Sequence, residues 1–98
     1  MEEILQKAIS QLDPKAKKSG LKKSVKYLID NEVAILFTGR GATRANVDTE
    51  TDLTVKASSK TFAKLLDGNL NSTMAFMTGK IKIEGDMGLA MKLDKILS

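Results

Sequence analysis

Hydrophobic periodicity changes along this chain in a fixed order, and that order constrains the fold more than any other feature. Residues 2–12 carry Ile4, Leu5, Ala8, Ile9 and Leu12, a stripe at helical spacing. Pro14 is expected to end or turn that helix, with a short helical turn in the polar stretch Lys15–Ser24. The period then shortens. Val25–Ile29 reads as a strand, Asp30-Asn31 as a turn, and Val33–Thr38 as a continuous apolar run suited to a strand covered on both faces. Gly39-Arg40-Gly41 breaks that run. Thr51–Ala57 (TDLTVKA) places Leu53, Val55 and Ala57 on one face and Asp52, Thr54 and Lys56 on the other.

Helical spacing returns after residue 57. Ser58 and Ser59 are N-cap candidates for a helix that buries Phe62, Leu65 and Leu66, with Gly68 at its end. A second short helix is expected to carry Leu70, Met74 and Met77 on one face, with Gly79 closing it. Lys80–Glu84 (KIKIE) alternates again and turns Ile81 and Ile83 inward. Asp86 then caps a terminal helix with one stripe of Leu89, Leu93, Ile96 and Leu97. Ala90 lies beside that stripe, and Met87 and Met91 form a second row at i, i+4. Strands grouped together, followed by helices, indicate an α+β fold with helices on one face of a mainly antiparallel sheet.

The second row on the terminal helix makes its apolar arc wider than one packing stripe needs. Such a surface asks for a cavity or a partner to cover it. Four of the five methionines (Met74, Met77, Met87 and Met91) lie in this last third. Methionine is flexible and polarizable, and serves as core filler or as adaptable lining. Periodicity leaves those two roles open.

Composition removes several chemistries. The chain has 98 residues, the length of one domain spanning residues 1–98. It contains no cysteine and no histidine, and so lacks a thiol nucleophile, a Cys-based zinc site, and the commonest general base and metal ligand. No cofactor or metal is expected. Gly39-x-Gly41 fails as a dinucleotide fingerprint because Arg44 holds the third glycine position. Asp48, Glu50 and Asp52 have the spacing of a calcium loop, but Leu53 and Ser59 occupy its glycine and glutamate positions. No P-loop or G-x-S-x-G is present. Nothing in the sequence points to an enzyme.

No apolar run approaches the ~18 residues of a membrane span. The N-terminus is acidic and amphipathic, unlike a secretory signal. Ile96-Leu97-Ser98 is not a peroxisomal address. A cytoplasmic location is the expectation. Net charge is +4, with six lysines between Lys15 and Lys26 and no acid among them. That run suits a solvated surface or an anionic membrane. Nucleic acid is not expected, because Tyr27 is the only aromatic in the segment and makes no stacking platform.

The run DLTVKASSKTFAKLLDGNLNSTMAFMTGKIKIEGDMGLAMKLDKIL, residues 52–97, resembles the sterol carrier protein 2 (SCP-2) family of lipid-binding domains. FMTGKIKIEGDMGLAMKL, residues 76–93, is its most specific part. The resemblance implies a five-stranded sheet covered on one side by helices, with an apolar tunnel or cavity between them. It implies non-catalytic binding and transfer of fatty acids, fatty acyl-CoAs, sterols or phospholipids. By position, Phe62, Leu66, Met74, Phe76, Met77, Ile81, Ile83, Met87, Leu89, Ala90, Met91 and Leu93 are the expected lining. Lys22, Lys23 and Lys26 are the candidates for head-group or membrane contact. Two alternatives stand beside the carrier: a dimerisation domain whose partner covers Met87 and Met91, and an accessory that presents acyl substrates to a partner enzyme.

Overall fold

The structure, a computed structural model, describes residues 1–97, Leu97 by its backbone alone. In chain order the elements are α1 (Glu2–Ser19), β1 (Val25–Ile29), β2 (Val33–Thr38), β3 (Gly41–Ala45), β4 (Leu53–Ala57), α2 (Ser59–Leu66), α3 (Ser72–Met77), β5 (Ile81–Gly85) and α4 (Met87–Leu97). The strands form one sheet in the order β3-β2-β1-β4-β5. β1 pairs antiparallel with β2 and parallel with β4, and the remaining pairs are antiparallel. This is the α+β arrangement expected from the sequence, with the helices on one face of a mixed sheet.

Register decides which side chains meet the helices. Val25, Tyr27 and Ile29 of β1 lie beside Phe37, Ile35 and Val33 of β2 and beside Leu53, Val55 and Ala57 of β4. All belong to the apolar core or pack against it. Lys26 and Leu28 point to the other face, yet both are buried. The connection from edge strand β3 to β4 has to cross β2 and β1, and it does so on that face. Lys26 Nζ donates to the Val47 carbonyl at 2.7 Å while its methylene stem lies beneath the loop.

α1 buries Leu5, Ala8, Leu12 and Ala16 at helical spacing and packs on β2 and β3. It does not stop at residue 12 as Pro14 suggested. Proline removes the donor that would reach the Ser10 carbonyl, but both residues are exposed, so that carbonyl is open to solvent. Burial of Ala16 beyond the proline repays the distortion. Next to this helix lies β3, the strand that hydrophobic alternation alone did not reveal. Its sequence, GATRA, has little apolar content, and it is held by partners. Asp13 Oδ1 accepts from the Ala42 N–H at 2.9 Å. Gly41 makes room for that carboxylate, since a Cβ there would lie 2.3 Å from Asp13 Oδ1.

The other half of the sheet is covered by short helices. Ser58 Oγ accepts from the Thr61 N–H at 3.1 Å and starts α2, which buries Phe62. Asn71 Oδ1 accepts from the Thr73 and Met74 N–H groups at 2.8 and 3.2 Å and starts α3. Leu70 therefore precedes the helix, and the expected Leu70/Met74/Met77 face does not form. Ala75 turns inward instead, while Met74 and Met77 are 55% and 75% exposed. α3 packs against β5, where a methyl group allows closer approach than a methionine. Gly79, at φ 77°, then reverses the chain. The Gly79 N–H donates to the Phe76 carbonyl and the Lys80 N–H to the Ala75 carbonyl, closing a Schellman motif.

Candidate apolar cavity

Asp86 sets the angle at which α4 leaves β5. Its Oδ1 accepts from the Leu89 N–H at 3.0 Å, the expected cap, and its Oδ2 accepts from Lys23 Nζ at 2.5 Å. These two interactions hold the Asp86 carboxyl below the usual carboxylate range, and the pair raises Lys23 above its ordinary value. Leu89 and Leu93 pack into the core and Ile96 is half-buried. The Leu97 side chain, expected in the same stripe, lies outside the described residues.

Between α3, α4 and the sheet is a cavity of about 400 Å³. Tyr27, Val55, Ile81 and Leu93, all buried, form its inner walls. Leu65, Ile83 and Ala90 lie between these and the mouth. Phe76, Met87 and Met91 stand at the rim, with Met91 71% exposed. The remaining wall residues, Ser72, Thr73, Asp94 and Lys95, are the polar ones at the outer end, where the Ser72 hydroxyl donates to Asp94. The volume lies within the range of small-molecule sites, and the walls are almost wholly apolar. Such a surface suits a hydrocarbon, held by water exclusion. Among the described residues no cluster of three or more carboxylates could hold a metal, and no helix is long and apolar enough to cross a membrane.

Of the side chains expected to line the cavity, Phe76, Ile81, Ile83, Met87, Ala90, Met91 and Leu93 stand in its wall. Phe62 and Leu89 lie in the core, Leu66 packs against it, and Met74 and Met77 face outward. None of the three lysines singled out reaches the cavity wall. Lys23 is tied to Asp86 and Lys26 to Val47 on the far face, while Lys22 borders an open groove with Arg40 near the end of α1. Val55 and Leu65 are wall residues that sequence reasoning placed on apolar faces without assigning them to a site, and Tyr27 was read only as the one aromatic of the basic segment. Ser72, Thr73, Asp94 and Lys95 carried no sequence signal, because they reach the rim only through the pairing of α3 with α4.

A model of the SCP-2 sterol transfer family matches residues 1–98, and the chain belongs to that family. Members are lipid-binding and transfer modules without catalytic machinery. Over 57 residues, 58% of this chain, it is 47% identical to hydroxysteroid dehydrogenase-like protein 2 of Xenopus laevis. Over 58 residues, 59% of the chain, it is 41% identical to human sterol carrier protein 2. The matched segments make up only 14% and 11% of those proteins. Palmitated SCP2L2 from Aedes aegypti shares the fold at a TM-score of 0.72 and 20% identity, over 99% of this chain and 93% of that one.

Proposed function

We propose that this chain binds one long-chain lipid in the cavity between α3, α4 and the sheet, and carries it without chemical change. The ligand class is fatty acid, fatty acyl-CoA, sterol or phospholipid. The observation that carries this reading is the cavity itself: about 400 Å³, apolar from floor to rim, with its polar wall residues gathered at the outer end. Burial of an acyl chain there contributes about 0.8 kcal/mol per methylene before binding costs. The palmitated state of the Aedes aegypti neighbour supports the class.

Solvent extraction of gently purified protein tests the reading, followed by thermal melts with fatty acids of increasing length. Near-stoichiometric lipid and a melting temperature that rises with chain length are expected. At a free ligand concentration of 100 Kd the stabilisation reaches about 2.7 kcal/mol. A protein that carries no lipid and melts at one temperature with every chain length is no carrier.

One observation favours an accessory role for the same cavity. In the frog and human relatives the similar segment is a small part of a much longer protein. Presentation of the lipid to an enzyme, in the same polypeptide or another, is the second reading. It is tested by measuring whether such an enzyme turns over bound lipid faster than free lipid.

A further inference from the structure

The exposed methionines of the last third form two pairs. Met74 and Met77 on α3 stand outside the cavity, 55% and 75% exposed, while Met87 and Met91 on α4 stand in its wall, 48% and 71% exposed. The two ranges interleave, so solvent access does not separate the pairs; the cavity does. Core packing requires none of the four. Ala75 fills the inward position of α3, and Leu89 and Leu93 fill that of α4. A leucine would give the rim the same apolar character. What methionine adds is a thioether, which gives up two electrons to a peroxide and becomes a sulfoxide. The chain has no cysteine, so these sulfurs are its most readily oxidised groups.

The walls also decide where a peroxidised acyl chain would place its polar group. Val55, Ile81 and Leu93 are buried and apolar, and a hydroperoxide pressed among them would lose its hydrogen bonds to water. It keeps them at the mouth, where Met87 and Met91 stand and Ser72 and Thr73 offer hydroxyls. A methionine side chain turns about three bonds, and at this exposure those turns stay open, so the sulfur can swing over the mouth. We propose that Met87 and Met91 reduce lipid hydroperoxides held in the cavity. A sulfur lone pair attacks the terminal oxygen of the hydroperoxide and the O–O bond breaks. That oxygen stays on sulfur as the sulfoxide, and the lipid oxygen takes the proton and leaves as an alcohol. Sulfur is oxidised and the peroxide reduced by two electrons each. The reaction is stoichiometric, at one event per methionine, and leaves lipids without a hydroperoxide unchanged. Both residues are open to solvent, where a methionine sulfoxide reductase can restore them. The proposal rests on the lipid-binding reading above and adds a reaction to it.

The test treats the wild-type chain with linoleic acid hydroperoxide or with hydrogen peroxide at equal concentration, and follows sulfoxide at each methionine by peptide mass spectrometry. Met74 and Met77 serve as controls within the same molecule. The lipid hydroperoxide should oxidise Met87 and Met91 at least about tenfold faster than Met74 and Met77, because binding raises its local concentration at the mouth. Hydroxylinoleic acid should appear one for one with sulfoxide, and excess palmitate should abolish the preference. Hydrogen peroxide gains nothing from an apolar cavity and should oxidise the four in order of exposure, with the pairs interleaved. Equal oxidation of the pairs by the lipid hydroperoxide overturns the proposal, as does the same preference with hydrogen peroxide, which would mark intrinsic reactivity. If palmitate still raises the melting temperature in either case, the lipid reading stands. If neither palmitate nor the lipid hydroperoxide binds, both readings fall.

Discussion

The two halves of this sheet are covered in opposite ways. Over β2 and β3 lies one helix of 18 residues whose buried positions include two alanines, Ala8 and Ala16. Small side chains let it approach closely, and its own Leu5 and the Ile35 and Phe37 beneath it are fully buried. Over β4 and β5 lie three helices of 8, 6 and 11 residues. Their junctions leave a cavity, and Phe76, Met87 and Met91 remain exposed around it. The difference separates tasks. The closed half supplies the packing that stabilises the chain, while the open half gives up packing to hold a guest. In a chain of 98 residues stability is marginal, and because one core cluster runs through both halves, the tight packing of the closed half offsets what the cavity forgoes.

The sharpest way to break the comparison is to damage each half in turn. Phe37→Ala in the closed half should lower unfolding free energy by about 3–5 kcal/mol, read by denaturant titration. Long-chain lipid affinity of the molecules that remain folded should stay within about twofold. Ala90→Trp in the open half should do the reverse. The indole would occupy the cavity, so lipid affinity should drop at least about tenfold while stability changes by less than about 1 kcal/mol. If Ala90→Trp unfolds the protein, the space is not available to a ligand and the division fails.

A smaller effect tests whether the roof of the open half depends on its caps. Asn71→Ala removes the acceptor for two N–H groups at the start of α3 and should cost about 1 kcal/mol. Amide exchange should quicken in α3 before it does in α1. Uniform quickening would mean that the halves unfold together.

The smallest effect is electrostatic. Asp13, in the closed half, is held below the usual carboxylate range by the Ala42 N–H and Lys17. Asp86, in the open half, is lowered by Lys23 and the Leu89 N–H, and Glu84 by Lys56. A carboxyl whose value is depressed in the folded state stabilises above its unfolded value, and that contribution is lost as pH falls through the folded value. Melting temperature should therefore hold at neutral pH and decline below about pH 4. Asp86→Asn should flatten the decline and Asp13→Asn should flatten it independently. Glu84 is exposed and Asp13 and Asp86 are only half-buried at the surface, so each change should be modest.

Much of this architecture was legible in the chain, and what escaped had a physical cause. Strands with strong alternation announced themselves: Leu53, Val55 and Ala57 face inward as their spacing required. Caps were equally plain at Ser58 and Asp86. β3 escaped because its partners, β2 and Asp13, hold it in place, and neither leaves a mark in GATRA. Pro14 misled because a proline's cost depends on whether water can reach the freed carbonyl. In the site, the two rows on α4 showed an apolar arc wider than packing needs, and it took the family resemblance to assign Met87, Ala90, Met91 and Leu93 to a cavity wall, where the structure has them. α3 was misread because Asn71 caps it, so the helix begins at Ser72, Leu70 stays outside it, and Ala75 turns inward in place of Met74. Tyr27 stood out in the sequence only as the one aromatic of the basic segment, because its place in the wall and its hydroxyl, unpartnered among the described residues, are properties of the packed state.

The most direct measurement is methyl NMR of protein labelled at its five methionines, titrated with palmitate. Met87 and Met91 stand in the cavity wall, whereas Met1, Met74 and Met77 are exposed outside it. Lipid bound as described should shift the Met87 and Met91 methyl signals strongly and saturably and leave Met1 unmoved. If all five shift together in proportion to added lipid, or if Met87 and Met91 stay still while the protein is stabilised, then the lipid does not occupy this cavity.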